Sequence, residues 1–187
     1  MDDIKSRIVA AARALYTERG PDAVTMRAVA DRVGVTATAL YRHFRDKDAI
    51  LQEVLGEGSR LIGSHLFAAL EGATAADRLR ATAAAYLAFA REQPQAYRAM
   101  FDPASTPDTP AGRQRGALGR FIADRVREAA QEAANPALDV EGSALSLWAA
   151  LHGHAALQHS GITIPATALE HLLTIAVPSP AGGAPVR

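Results

Sequence analysis

The chain has 187 residues, enough for one large domain or two small ones. Hydrophobic residues make up 49%, so a sizeable core can form, and the absence of cysteine excludes a disulfide framework and any thiolate metal site. Net charge is zero, which excludes a polyelectrolyte that holds nucleic acid through bulk charge alone.

Charge distribution says more than the total. The first fifty residues hold nine Lys or Arg against seven acids, a weak bias, and the cluster Arg42, His43, Arg45, Lys47 stands out within it. The opening Met1-Asp2-Asp3 is acidic and lacks a signal-peptide pattern. No apolar run reaches the roughly 18 residues that would span a bilayer. The expectation is a cytoplasmic chain with no membrane segment. Alanine supplies much of the apolar content and favours helix throughout.

Residues 3–19 are the first predicted helix, with Ile4, Ile8, Ala11, Ala12 and Leu15 as its buried stripe. Gly20-Pro21 stops it. Thr25 to Lys47, TMRAVADRVGVTATALYRHFRDK, then reads as helix, tight turn, helix. Thr25 is an N-cap, and Met26, Val29, Ala30 and Val33 make one apolar face. Gly34 sits where the helix must stop, because glycine enters the left-handed conformation without a steric penalty. Val35 fills the angle, Thr36 caps the next helix, and Leu40 and Phe44, four apart, face inward.

The outward side of this second helix is small and polar. At about 100° per residue, Thr38 and Arg42 point away from the Leu40–Phe44 stripe, Ala39 and Tyr41 flank them, and Ala37 lies near the edge. Hydroxyls and arginine bond base edges or phosphates, and small side chains permit close approach in a major groove. Asp46 caps the following helix, whose first amides and Lys47 make an anion site suited to a phosphate.

Residues 4–55 resemble the DNA-binding domain of the TetR family of bacterial transcriptional regulators. The resemblance rests on Ile8, Ala11, Leu15, Gly20, the Thr25-Met26-Arg27 start, Ala30, Gly34-Val35, Leu40-Tyr41, His43-Phe44, and Lys47 with Ile50 and Leu51. It is more specific than a generic helix-turn-helix pattern.

Beyond it, residues 47–70 are predicted as one long helix, softened or kinked near Gly56 and Gly58 or packed closely against its glycines. In the family this helix joins the DNA-binding and ligand-binding domains. Residues 75–92 form an Ala-rich helix, and Pro94 opens a short one carrying Tyr97, Met100 and Phe101. Asp102 to Gly112, DPASTPDTPAG, reads as an exposed, mobile loop. Residues 113–134 and 138–159 are two helices with wide apolar faces, broken at Asn135-Pro136. The resemblance implies that two such late helices from each subunit form a four-helix dimer interface. A further helix spans 166–176, and the tail 178–187, PSPAGGAPVR in its sequence, has the composition of a disordered end. Trp148 to Gly153, WAALHG, resembles the C-terminal WHG motif of a subset of the family.

Other chemistry has thin support. His152, His154 and His159 lack the spacing of a zinc site, so no metal is expected and His152 is read as a core histidine bonded to a backbone carbonyl. No phosphate-binding loop, nucleophile elbow or zinc-protease motif occurs, so neither an enzyme nor a cofactor is expected. Phe67, Tyr86, Phe89, Tyr97, Met100, Phe101, Trp148 and His152 are the candidates to line a mainly apolar ligand cavity, with a closed core the commoner role for any one such residue.

The expectation is therefore an all-α chain. Residues 1–47 form a helix-turn-helix DNA-binding domain, 48–177 a helical effector-binding and dimerisation domain, and 178–187 a disordered tail. The resemblance implies a homodimeric repressor released from a palindromic double-stranded DNA operator by an unidentified small-molecule effector. Thr38, Ala39 and Tyr41 are the expected base-proximal residues, with Ala37 allowing close approach. Thr25, Arg27, Thr36, Tyr41, Arg42, His43 and Lys47 are the expected phosphate contacts. The alternative is a helical dimer that acts through a protein partner without touching DNA.

Overall fold

The structure, a computed structural model, describes residues 4–102 and 106–178. All regular structure among the described residues is helical. In chain order these are α1 (Ile4–Arg19), α2 (Met26–Val33), α3 (Ala37–Tyr41), α4 (Lys47–Phe67), α5 (Ala75–Glu92), α6 (Pro94–Met100), α7 (Pro110–Glu132), α8 (Val140–His159) and α9 (Thr167–Ala176). The expected tail, 178–187, lies outside the described residues after Pro178.

The chain divides into two compact units. One comprises Met1–Arg60 with Gln95–Gln114, the other Leu61–Pro94 with Arg115–Arg187. In the first unit, α1, α2 and α3 close around one core. Ile8, Ala12 and Leu15 of α1 meet Val29, Ala30 and Val33 of α2, Leu40 of α3, and Phe44, Ile50 and Val54 beyond it. Burying a side chain such as Leu40 contributes roughly 1.5–3 kcal/mol. Two polar braces hold the angle between α1 and α2. Arg7 donates to the Val33 carbonyl at 3.0 Å, and Arg32 pairs through both amines with Glu18 at 2.7 and 2.5 Å.

In the second unit, α5 packs on α8 and α9, and α8 on α9. Tyr86 and Phe89 of α5 are fully buried, with Leu147, Leu151 and Ala155 of α8 and Leu173 of α9 also in the core. Thr74 and Asp77 form a reciprocal capping box that starts α5. Gly119 of α7 faces Trp148 of α8, where an added Cβ would come within 3.0 Å of the indole.

Several boundaries differ from the sequence reading, each for a local reason. The helix expected over 47–70 stays α-helical across Gly56 and Gly58 but tightens to a 3-10 turn at Ala68–Glu71. Close packing does not account for Gly63, since a Cβ there meets nothing within 4 Å. The helix expected from 113 begins at Pro110, because Thr109 accepts the Gly112 amide at 3.1 Å. Proline at the first helical position has no amide to leave unsatisfied. Of the loop expected over 102–112, residues 103–105 lie outside the described residues. After α7, the backbone turns through Ala134 at φ 51°, and Asn135 donates to the Ala130 carbonyl at 2.9 Å. Asp139 then caps α8 by accepting the Gly142 amide at 3.0 Å.

Candidate nucleic-acid interface

The turn between α2 and α3 sets the geometry of the site. Gly34 adopts φ 78°, ψ 37°, and the amides of Gly34 and Val35 both reach the Ala30 carbonyl, at 2.9 and 3.0 Å. A side-chain-bearing residue would be strained there. Thr25 accepts the Ala28 amide at 3.1 Å, and Thr36 accepts the Ala39 amide at 3.2 Å. Each cap uses only the oxygen lone pairs, so both hydroxyl hydrogens can be donated to a phosphate. Thr25 and Thr36 are both exposed.

Helix α3 is short because Arg42 is already its C-cap. The chain stays wound for one more turn, with the His43 and Phe44 amides both on the Leu40 carbonyl. Leu40 (0% exposed) and Phe44 therefore anchor the helix from below. Thr38, Tyr41, Arg42 and His43 are exposed on the other side, with Tyr41 at 56%. Ala39 is half-buried, and Ala37 packs partly against the core rather than standing clear of it. Arg27 and Lys47 are also exposed. Every expected DNA-contact residue thus belongs to the first unit, and all but Ala37 and Ala39 are exposed.

At the start of α4, Asp46 accepts the Ala49 amide at 2.8 Å and pairs with Arg45 at 3.0 Å. One of the amides expected to hold a phosphate is thus occupied by the capping carboxylate. Arg45 balances that carboxylate and is itself 80% exposed. It was not among the expected contacts, although it belongs to the basic run Arg42, His43, Arg45, Lys47.

The candidate pocket residues separate. Tyr86, Phe89, Trp148 and His152 belong to the second unit, and Tyr97, Met100 and Phe101 to the first. The Tyr97 and Phe101 rings meet at a tilt of 50°, centroids 5.0 Å apart. Phe67 is 74% exposed and lines no core. Nδ1 of His152 lies 3.2 Å from the Tyr86 hydroxyl. Burial holds the His152 and His154 rings below the ordinary histidine range. His159 donates from Nε2 to the Ala90 carbonyl at 2.9 Å. Among the described residues no three His, Asp or Glu are grouped to hold a metal ion, and no helix is long and apolar enough to cross a membrane.

Residues 8–54 match the family model described as "Bacterial regulatory proteins, tetR family", and residues 79–177 the model described as "Tetracyclin repressor-like, C-terminal domain". A 102-residue stretch is 32% identical to the HTH-type transcriptional activator FasR of Mycolicibacterium smegmatis, covering 54% of this chain and 47% of that one. A 76-residue stretch is 42% identical to the HTH-type transcriptional repressor KstR of Mycobacterium tuberculosis, covering 40% and 34%. The matched part thus spans half or less of these curated relatives. Among solved structures, the TetR family transcriptional regulator PfmR from Thermus thermophilus superposes with a TM-score of 0.72 at 21% identity, over 91% of this chain and 97% of that one. The fatty acid degradation regulator FadR from Bacillus halodurans gives 0.69 at 13%, over 95% and 96%. At such identities these two establish likeness of fold.

Proposed function

The chain belongs to the TetR family of bacterial regulatory proteins, and on that premise we propose that it is a homodimeric repressor released from a palindromic operator by a small molecule. Residues 1–47 act on DNA, and 48–177 bind effector and dimerise. A protein with this task works in the cytoplasm. One observation carries the reading: Tyr41 stands outward beside Thr38 and Arg42 while its neighbour Leu40 is fully buried. A helix held from one side and polar on the other fits a major groove. Thr38, Ala39 and Tyr41 meet base edges. Thr25, Arg27, Thr36, Tyr41, Arg42, His43 and Lys47 meet phosphates, and Ala37 keeps the approach close.

A second copy supplies the other half-site, roughly 34 Å or a little more away along the duplex. The surface of α8 supports this pairing. Leu145 (65% exposed), Ala149, Ala156 and Leu157 are apolar and outward, as is Ile175 (73%) on α9. Exposed positions of α7 are mainly charged, among them Arg113, Arg120 and Asp124. On this reading the dimerising surface lies on α8 and α9, in place of the pair at 113–134 and 138–159 that the resemblance implied. The effector lies against Tyr86, Phe89, Trp148 and His152, and it shifts the DNA-binding state only by its different affinity for the two forms.

Footprinting on the DNA upstream of the chain's own gene tests the reading. The expected result is a protected, two-fold symmetric site that Lys47→Ala weakens. Protection absent at every upstream segment, or unaltered by Lys47→Ala and Tyr41→Ala together, overturns it.

A further inference from the structure

The second unit holds a cavity of about 320 Å³ between α5, α7 and α9. Its floor is apolar, from Leu79, Leu173 and Val177, and its rim carries Arg80, Glu132 and Glu170. The rim charges are not equivalent. Each nitrogen of Arg80 is engaged: Nε and Nη2 bond Glu170 at 2.9 and 3.1 Å, and Nη1 bonds Asp77 at 3.2 Å. Glu170 is spent on the same guanidinium. Glu132 differs. Its Oε2 accepts the Ala75 amide at 2.5 Å, which pins the carboxylate against the start of α5. Among the described residues no cation pairs with it.

Glu132 is exposed and faces the positive end of α5; a carboxylate fixed there beside an apolar floor, and paired with no side-chain cation, is complementary to one kind of small molecule. We infer that this cavity binds a small organic ammonium ion, its charge on Glu132 and its compact apolar body on Leu79, Leu173 and Val177. The volume is at the lower end of small-molecule sites, roughly 300–1,000 Å³, which limits the ligand to a small body. A carboxylate ligand would face Glu132 and a spent guanidinium, and a neutral one would leave Glu132 as it is. The site is separate from the Tyr86 and His152 region and does not rest on operator binding.

The test titrates the full-length protein, without DNA, with 2-phenylethylammonium chloride, 2-phenylethanol and 3-phenylpropionate, following backbone amide resonances. Saturable shifts are expected at Glu132, Leu173 and Thr174. The ammonium should bind about three- to five-fold more tightly than the alcohol, the scale of an exposed ion pair, and the carboxylate least. Glu132→Gln retains an acceptor for the Ala75 amide and should erase the preference for the ammonium over the alcohol. Shifts that do not saturate, shifts confined to other residues, or equal binding of the ammonium and the alcohol by the unmodified protein overturn the inference. That last comparison needs no variant, so it decides the matter even if Glu132→Gln fails to fold.

Discussion

Leu40 and Tyr41 are adjacent in a five-residue helix, and the structure assigns them opposite consequences. Leu40 is fully buried among α1, α2 and the start of α4. Leu40→Ala removes that packing and should cost about 2–5 kcal/mol of stability. Tyr41 is 56% exposed, so Tyr41→Ala should change stability by no more than about 0.5 kcal/mol. If Tyr41 meets the operator, its loss should weaken binding by about 1–3 kcal/mol per half-site, roughly five-fold to more than a hundred-fold each. A two-fold operator incurs that loss twice. Urea titration followed by far-UV circular dichroism reads the first quantity. Fluorescence anisotropy with a labelled operator, at one fixed salt concentration, reads the second. The reasoning fails if Tyr41→Ala keeps operator affinity within about two-fold, since that is less than the smallest contact considered. It fails equally if Tyr41→Ala destabilises the protein as much as Leu40→Ala does.

Gly34→Ala should cost about 1–2 kcal/mol, all of it from the left-handed backbone, because the new Cβ meets nothing within 4 Å; a denaturation midpoint equal to that of the unmodified protein contradicts the claim. Leu145→Glu places a charge on the exposed apolar face of α8 and should leave monomers in sedimentation velocity at micromolar concentration, where the unmodified chain is expected to be a dimer; an unmodified chain that sediments as a monomer defeats the dimer reading. His152 and His154 have folded-state values depressed by burial, so the unfolded chain binds more protons than the folded one as acid is added. Stability is then full above the ordinary histidine range, about pH 6.5, and declines as pH falls through the depressed values. Urea midpoints between about pH 7.5 and 5 should show this slope, and His152→Gln with His154→Gln should flatten it.

Much of the first unit was legible because its signals are local. Thr25, Gly34, Thr36 and Asp46 each mark a helix end through chemistry within four residues, and each makes the cap or turn expected of it. The Leu40–Phe44 spacing located the inward side of α3, since one turn suffices to fix a direction. Ala37 was harder, as its small side chain gives the same pattern whether it faces a groove or fills an edge of the core. The second unit carries fewer local signals. Alanine dominates its helices, and an alanine face does not say which neighbour covers it. Hence α7 and α8 looked equally apolar, whereas the large outward apolar side chains of these late helices, Leu145, Leu157 and Ile175, lie on α8 and α9. The Tyr86–His152 contact joins residues 66 positions apart, beyond any periodic signal. The early start of α7 could have been found from Thr109-Pro110, a cap followed by a first-turn proline.

The meeting of Gly119 with Trp148 gives the molecule an optical gauge. This is the sole indole in 187 residues, and it rests on bare main chain of a neighbouring helix. Sliding or parting of those two helices alters its solvent shell at once, so emission colour reads their spacing without any attached dye. Were the proposed effector to bind against that ring, its arrival would be read directly in the native protein.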